Sequence, residues 1–414
     1  MASNVSSPIP PSPAPRAHTP AAAAEPAAGT EPLRHAPDRT GAAVHEGLAG
    51  VVATATRLSR VEGDAGRLTI AGYDVADIAP RVPFEAMVHL LLHDRLPSDG
   101  ELEQLQRAIA ERRALGAATL ALLAEAAKNR VAPMQALRLG VASLVEEEPT
   151  PERLLGALPT VAAAYARLLA GQAPVAPDVG LRASESFLYG LSGQRPTAPA
   201  ACALDTYWNT VADHGLNAST FTARVITSTG GTLGAAVEGA LGALEGPLHG
   251  GAPGPALDAL LALRARGGDL CATTREWAEA ELDAGRRLMG FGHRIYKVRD
   301  PRALVLERAA EGLLDGSSLL AEARAHEATV LEVLSRRKPG RGIATNVEFY
   351  TALVLHGLGL ATEWFTPTFA LGRLAGWLGH IAEQRARGRL IRPESRYVGA
   401  ERRVLGGLTA AARG

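Results

Sequence analysis

Cysteine is nearly missing from this chain, with only Cys202 and Cys271 among 414 residues. Two thiols cannot form a disulfide framework or a four-cysteine zinc site, and both read as buried small hydrophobes rather than reactive thiols. Net charge is missing too: 43 lysines and arginines face 43 aspartates and glutamates. No global field therefore favours a nucleic acid or a membrane surface. No apolar run reaches the ~18–20 residues that a membrane span needs. The N-terminus has no basic segment followed by an apolar one, so it does not read as a secretory signal. Aromatic residues are scarce at 4%, whereas alanine and leucine, both strong helix formers, abound. These absences leave a cytoplasmic, mostly α protein, long enough for a large core divided between two domains.

Residues 1–44 form a Pro/Ala/Ser-rich tail, as in Pro8-Ile9-Pro10-Pro11-Ser12-Pro13. Such a composition buries too little apolar surface to offset chain entropy, and it predicts disorder. Arg16, Arg34 and Arg39 suggest a transit peptide, but Glu25, Glu31 and Asp38 argue against one. Order is expected from about Gly47. The runs Val51–Leu58 and Arg67–Ala71, separated by turn residues Glu62–Gly66, predict a small N-terminal β-hairpin. Helical patterning then predicts Phe84–His93 and runs near 99–114, 116–128, 134–146, 151–170 and 181–192. Two later helices are also expected. One sets Val347, Val354 and Leu358 on a single face. The other sets Leu371, Leu374, Leu378 and Ile381 on one face, with Arg373 and His380 on another. No repeat of fixed period is present.

Three polar blocks interrupt the apolar helical pattern. They are Gly246-Pro-Leu-His249-Gly250, the run Gly290-Phe-Gly292-His293-Arg294-Ile-Tyr-Lys297 continuing to Asp300-Pro301-Arg302, and Asn346-Val-Glu348-Phe-Tyr350. Two glycine-flanked histidines and a carboxylate make an acid/base set. Arg302, Arg373 and Arg392 add guanidinium forks suited to carboxylates. The chemistry implied is proton abstraction with a small acidic substrate. Pro247 and Gly250 suggest that His249 opens the helix that follows it, where a helix N-terminus would favour the neutral imidazole. Gly290-x-Gly292 is a poor dinucleotide fingerprint, since Ile295 takes the third glycine position and no strand precedes it. His89 and His93 share a helical face, but they lack the glutamate and third ligand of a metal site, and no metal is expected. Arg299 reads as an unassigned surface charge.

The order and spacing of these blocks resemble the citrate synthase family from about Gly47 to about Gly399. The downstream Arg392-Pro-Glu-Ser395-Arg-Tyr397 and the block Asp213-His214-Gly-Leu-Asn217-Ala-Ser-Thr220 belong to the same resemblance. It implies a two-domain helical fold, with a small domain over about 251–340 and a large one over about 45–250 and 341–414. It implies condensation of acetyl-CoA with oxaloacetate, in which CoA is a product rather than a retained cofactor. Glu348 would be the base, where the family usually has aspartate. His249 would stabilise the enolate and His293 would polarise the keto group. His214, Arg302, Arg373 and Arg392 would hold oxaloacetate, with Arg392 donated across a homodimer interface. Leu288, Met289, Gly290, Phe291, Gly292 and Lys297 would meet CoA. Propionyl-CoA as the donor, giving 2-methylcitrate, stays open, because one methylene is worth only about 1–3 kcal/mol of discrimination. A non-catalytic relative that binds CoA or a dicarboxylate is the alternative from another class. A nicotinamide enzyme fails for want of a Rossmann unit.

Overall fold

A computed structural model of the chain describes residues 44–48, 50–144, 149–250, 253–293 and 295–400. Nearly all of the tail expected to be disordered lies outside these. The described residues fall into two units. One spans Thr56–Leu390; the other contains the stretches before Thr56 and after Leu390. This second unit is largely exposed and has one short 3-10 turn, Glu46–Leu48.

The first unit opens with a three-stranded antiparallel sheet of β1 (Ser59–Glu62), β2 (Arg67–Ile70) and β3 (Tyr73–Asp74). The expected hairpin is present, but its first strand lies later than the Val51–Leu58 run. The turn at Gly63–Gly66 fixes Glu62 opposite Arg67, so pairing extends only back to Ser59 opposite Ile70. The sheet also braces another loop, since the Lys297 amide donates to the Gly63 carbonyl at 3.2 Å.

Helices account for most of the rest. In order they are α1 (Val75–Ile78), α2 (Phe84–His93), α3 (Asp99–Ala110), α4 (Ala117–Lys128), α5 (Pro133–Ala142), α6 (Pro151–Leu169), α7 (Ala183–Ser192) and α8 (Ala198–Val211). There follow α9 (Ala218–Ser228), α10 (Leu233–Glu245), α11 (Pro253–Arg266), α12 (Leu270–Asp283), α13 (Pro301–Leu313), α14 (Leu319–Arg337), α15 (Val347–Gly357) and α16 (Phe365–Arg387). Many starts carry a side-chain cap, as the sequence pattern requires: Ser98 and Glu101 form a capping box at α3, and Asn217, Asp300 and Asn346 cap α9, α13 and α15.

The long α16 is the axis of the core. Its expected apolar face, Leu371, Leu374, Leu378 and Ile381, is buried, and each such side chain contributes about 1.5–3 kcal/mol relative to exposure. The other face is buried as well, including Arg373 and His380. Gly372 and Gly376 explain the fit. A Cβ on Gly372 would stand 2.8 Å from the Trp208 Cα, and one on Gly376 would overlap the Ala212 carbonyl. Only glycine lets α16 press this closely on the end of α8. The helix α15 is also buried nearly all round, well beyond the Val347 and Val354 face.

A second, smaller cluster gathers Ala278, Leu288, Val330, Val333 and Leu334 from α12, α14 and the loop before Met289. The cysteines depart from expectation. Cys202 is exposed, on the outer side of the first turns of α8, and Cys271 is half-buried in the first turn of α12. No helix among the described residues is long and apolar enough to cross a membrane.

Candidate active site

His214 sits just past α8, between two anchors. The Ser59 hydroxyl donates to Asp213 at 2.5 Å, and the Gly215 amide donates to the Ser59 oxygen at 2.8 Å. Asp213 is fully buried and lies 3.2 Å from Nε2 of His380. Arg224 donates to Nδ1 of His380 at 2.9 Å and pairs with Glu383 at 3.0 Å. Burial alone would raise the Asp213 carboxyl, but His380, Arg373 and Ser59 hold it below its usual value. His214 itself shares a 3.1 Å hydrogen bond with the Tyr296 hydroxyl. Burial and the charges of Arg302 and Arg373 push its pKa well below the ordinary imidazole value.

His249 lies in the turn after α10. Its Nε2 accepts the Ser219 amide at 3.3 Å and lies 2.9 Å from the Ser219 hydroxyl. Ser219 is the second residue of α9, so this amide is one of the free donors of that helix's N-terminus. The sequence pointed to the helix after His249; the helix that acts is α9, thirty residues earlier. Because Nε2 accepts, the geometry assigns the ring proton to Nδ1. Burial and the Arg373 charge lower the pKa and keep the imidazole neutral.

His293 follows two left-handed glycines, Gly290 at φ 88° and Gly292 at φ 82°. A side chain at 290 would also crowd Phe349 at 3.2 Å. The turn folds the imidazole back so that Nδ1 accepts the amides of Ile295 and Tyr296, each at 3.0 Å. Nε2 is thus the protonated nitrogen. It lies 3.5 Å from Nη2 of Arg302 and 4.0 Å from Asp300. Burial and Arg302 depress its pKa, with Asp300 opposing. The rings of His214 and His293 stand 5.7 Å apart, edge to face.

Glu348 is the second residue of α15. Its amide is capped by Asn346 Oδ1 at 3.0 Å. Burial raises its carboxyl to about 7, against the pull of Arg302 and Arg373. The other nitrogen of Asn346 donates to the Gly292 carbonyl at 2.9 Å, and the Asn346 amide donates to the Gly290 carbonyl at 3.0 Å. The Gly292 amide donates to Ala344 at 2.7 Å, and Phe291 bridges Thr345. One short backbone pairing therefore joins the His293 loop to the start of the Glu348 helix.

The two buried arginines differ. Arg302 forks onto Asp300, with Nε at 3.0 Å and Nη2 at 2.7 Å. Against its burial, that carboxylate holds Arg302 in the charged form. Arg373 has no carboxylate partner among the described residues. Its Nε donates to the Val211 carbonyl at 2.6 Å, and its guanidinium lies 4.7 Å over the Phe369 ring. Burial lowers its pKa to about 10 against the charges of Asp213 and Glu348, so it is still a cation at neutral pH, and one with no carboxylate in direct contact among the described residues.

The expected residues therefore converge, with His214, His249, His293, Arg302, Arg373 and Glu348 acting on one another's charges. Leu288, Met289, Gly290, Phe291 and Gly292 form the adjoining loop, and the Lys297 side chain is exposed beside it. Arg392 lies exposed in the second unit. Arg299 is a surface charge, as expected, and it has partners. It pairs with Glu307 at 2.8 Å and Glu327 at 3.2 Å, and Glu327 also accepts from Thr345 and Tyr350, each at 2.5 Å. Ser219, Tyr296, Asp300 and Asn346 are site residues that pattern reading did not single out. All four lie inside blocks that it did. Among the described residues no group of three or more His, Cys, Asp or Glu is placed to hold a metal ion.

A family model, citrate synthase C-terminal domain, matches residues 47–394. The citrate synthase of Haloferax volcanii is 36% identical over 370 residues, covering 85% of this chain and 95% of that protein. The 2-methylcitrate synthase of Mycobacterium tuberculosis is 36% identical over 378 residues, covering 88% of this chain and 93% of that one. Among solved structures, citrate synthase from Pyrobaculum aerophilum superposes with a TM-score of 0.79 at 31% identity, over 88% of this chain and 95% of its own. Citrate synthase from Thermoplasma acidophilum, in a ternary complex with carboxymethyl coenzyme A and oxaloacetate, gives 0.77 at 26% identity, over 88% and 99%.

Proposed function

The chain belongs to the citrate synthase family, acyl-CoA transferases that form a carbon–carbon bond, and from that premise we propose that it condenses acetyl-CoA with oxaloacetate to give citrate and CoA. The observation that carries this reading is a raised-pKa carboxylate and two neutral histidines gathered around a buried arginine that no carboxylate touches among the described residues. Glu348 removes a proton from the acetyl methyl. The Nδ1 proton of His249 hydrogen-bonds the enolate oxygen that forms. The enolate carbon attacks the keto carbon of oxaloacetate, whose oxygen accepts from Nε2 of His293. Water then cleaves the citryl thioester and CoA leaves as product. Fixed neutral donors aimed where negative charge develops suit this chemistry, because they need little reorganisation as the charge appears.

Arg373 and Arg302, with His214, hold the dicarboxylate, and an anion is what the unpaired Arg373 lacks. Arg392 completes the set from a second copy in a homodimer. The loop Leu288–Gly292 and Lys297 receive CoA. The smaller apolar cluster supports a small domain over about 251–340 that closes on the larger one and excludes water. A cytoplasmic setting fits these soluble substrates.

The test is CoA release by the purified protein with oxaloacetate, using acetyl-CoA and propionyl-CoA in parallel. A higher kcat/KM for acetyl-CoA supports the reading. A higher value for propionyl-CoA would make it a 2-methylcitrate synthase, the activity named for one relative. No release with either donor, from protein that still binds CoA, would leave a non-catalytic relative.

A further inference from the structure

We propose that Tyr207 is a positioning residue for the base: its hydroxyl donates a hydrogen bond to the Glu348 carboxylate in the substrate-loaded site, directly or through one water. The inference rests on the reading of Glu348 as that base. Tyr207 lies on α8, its side chain is sealed from solvent, and its hydroxyl has no hydrogen-bond partner among the described residues. A phenylalanine would fill the same space without stranding a buried polar group, which is unfavourable in a dry interior. The hydroxyl therefore needs an explanation that packing does not give.

Its place in the fold supplies one. Val211, one turn further along α8, offers the carbonyl that holds Arg373, and His214 follows three residues later. The spacing of four keeps Tyr207 and Val211 on one side of α8. That side faces the helices packed on α8, and each contributes charge. Glu348 comes from α15, Arg302 and Asp300 from the start of α13, and Arg373 from α16. After burial, Glu348 is the strongest of the influences on the phenol, and both keep it protonated, so it retains a proton to donate. The Glu348 carboxylate in turn accepts no hydrogen bond from any described residue. A buried donor without a partner thus lies within electrostatic reach of a half-buried carboxylate that no described residue holds. Glutamate also has one more rotatable bond than aspartate, so a tether on its carboxylate confines a freedom that an aspartate would not have.

The experiment compares the pH dependence of kcat/KM and kcat for the full chain and its Tyr207→Phe variant, with thermal melting to show that the variant folds. A hydrogen bond to a charged group predicts a fall in kcat of about 10- to 100-fold. The acidic limb should move to higher pH, because the ionised carboxylate loses its donor. The KM for oxaloacetate should change less than about twofold. In a Glu348→Gln background, Tyr207→Phe should have no further effect. An unchanged pH limb and rate would overturn the proposal, as would a raised oxaloacetate KM at constant kcat, which would make Tyr207 a substrate ligand. If Glu348→Gln alone kept the full rate, the reading of Glu348 would fail instead, and the two failures are thereby told apart.

Discussion

The amide of Ser219 donates to Nε2 of His249 across 3.3 Å, and this decides which end of the imidazole carries the proton. The free donor of a helix N-terminus repels protonation at Nε2, so the ring stays neutral and presents Nδ1–H. His249→Gln should therefore lower kcat by about 10²–10³-fold, the usual cost of one oxyanion donor. Steady-state kinetics at saturating oxaloacetate check this. A change confined to KM would contradict the assigned role.

Glu348 should give the acidic limb of the rate profile. Its carboxyl is raised from 4.5 to about 7, and only the ionised form abstracts a proton. kcat/KM should thus rise with pH through a midpoint near 7 and level off above it. Stability should run the opposite way. A group that binds its proton more tightly in the folded state loses stability as pH rises from its unfolded value through about 7. Initial rates and chemical denaturation across pH 5–8 test both halves.

Arg373→Met should separate binding from stability. A buried cation without an anion is unfavourable, and an apolar side chain of similar length avoids that cost. We expect a midpoint of thermal unfolding equal to or above that of the natural chain. The affinity for oxaloacetate should fall about 100-fold or more, as for loss of a buried charge pair with substrate. Calorimetric titration and a melting curve on the same preparation suffice.

Gly376→Ala tests the packing of α16 on α8. The added methyl would overlap the Ala212 carbonyl, which is backbone and cannot swing aside. Overpacking of this kind costs about 1–3 kcal/mol or more. Ala212 immediately precedes Asp213 and His214, so oxaloacetate binding should weaken along with stability. Denaturant unfolding read together with the KM for oxaloacetate would reveal the link.

Much of this arrangement was legible in the residues. The helix Phe84–His93 and the start and end of several others follow from caps and punctuation, and the three polar blocks gave His249, His293 and Glu348. What pattern reading missed shares a cause. The contact of Ser219 with His249 joins residues thirty apart, and local spacing carries no trace of it. The all-round burial of α15 and α16 is set by what surrounds them, so one apolar stripe understated both. Cys202 is exposed because it lies on the outer side of α8, which residue type alone does not reveal. The first strand shifted to Ser59 because register propagates from the turn, not from the run of β-branched residues.

Asn346 holds the Gly292 carbonyl with one side-chain nitrogen and the Glu348 amide with its oxygen. A single residue is in this way shared by the turn that aims His293 and the helix that starts at Glu348. On the proposed reading, one histidine readies the electrophile while the carboxylate makes the nucleophile, so the two halves of the reaction are synchronised by a common hinge pin. Displacing either half breaks a bond belonging to the other. The proton acceptor and the carbonyl-polarising donor are thus held in one fixed register.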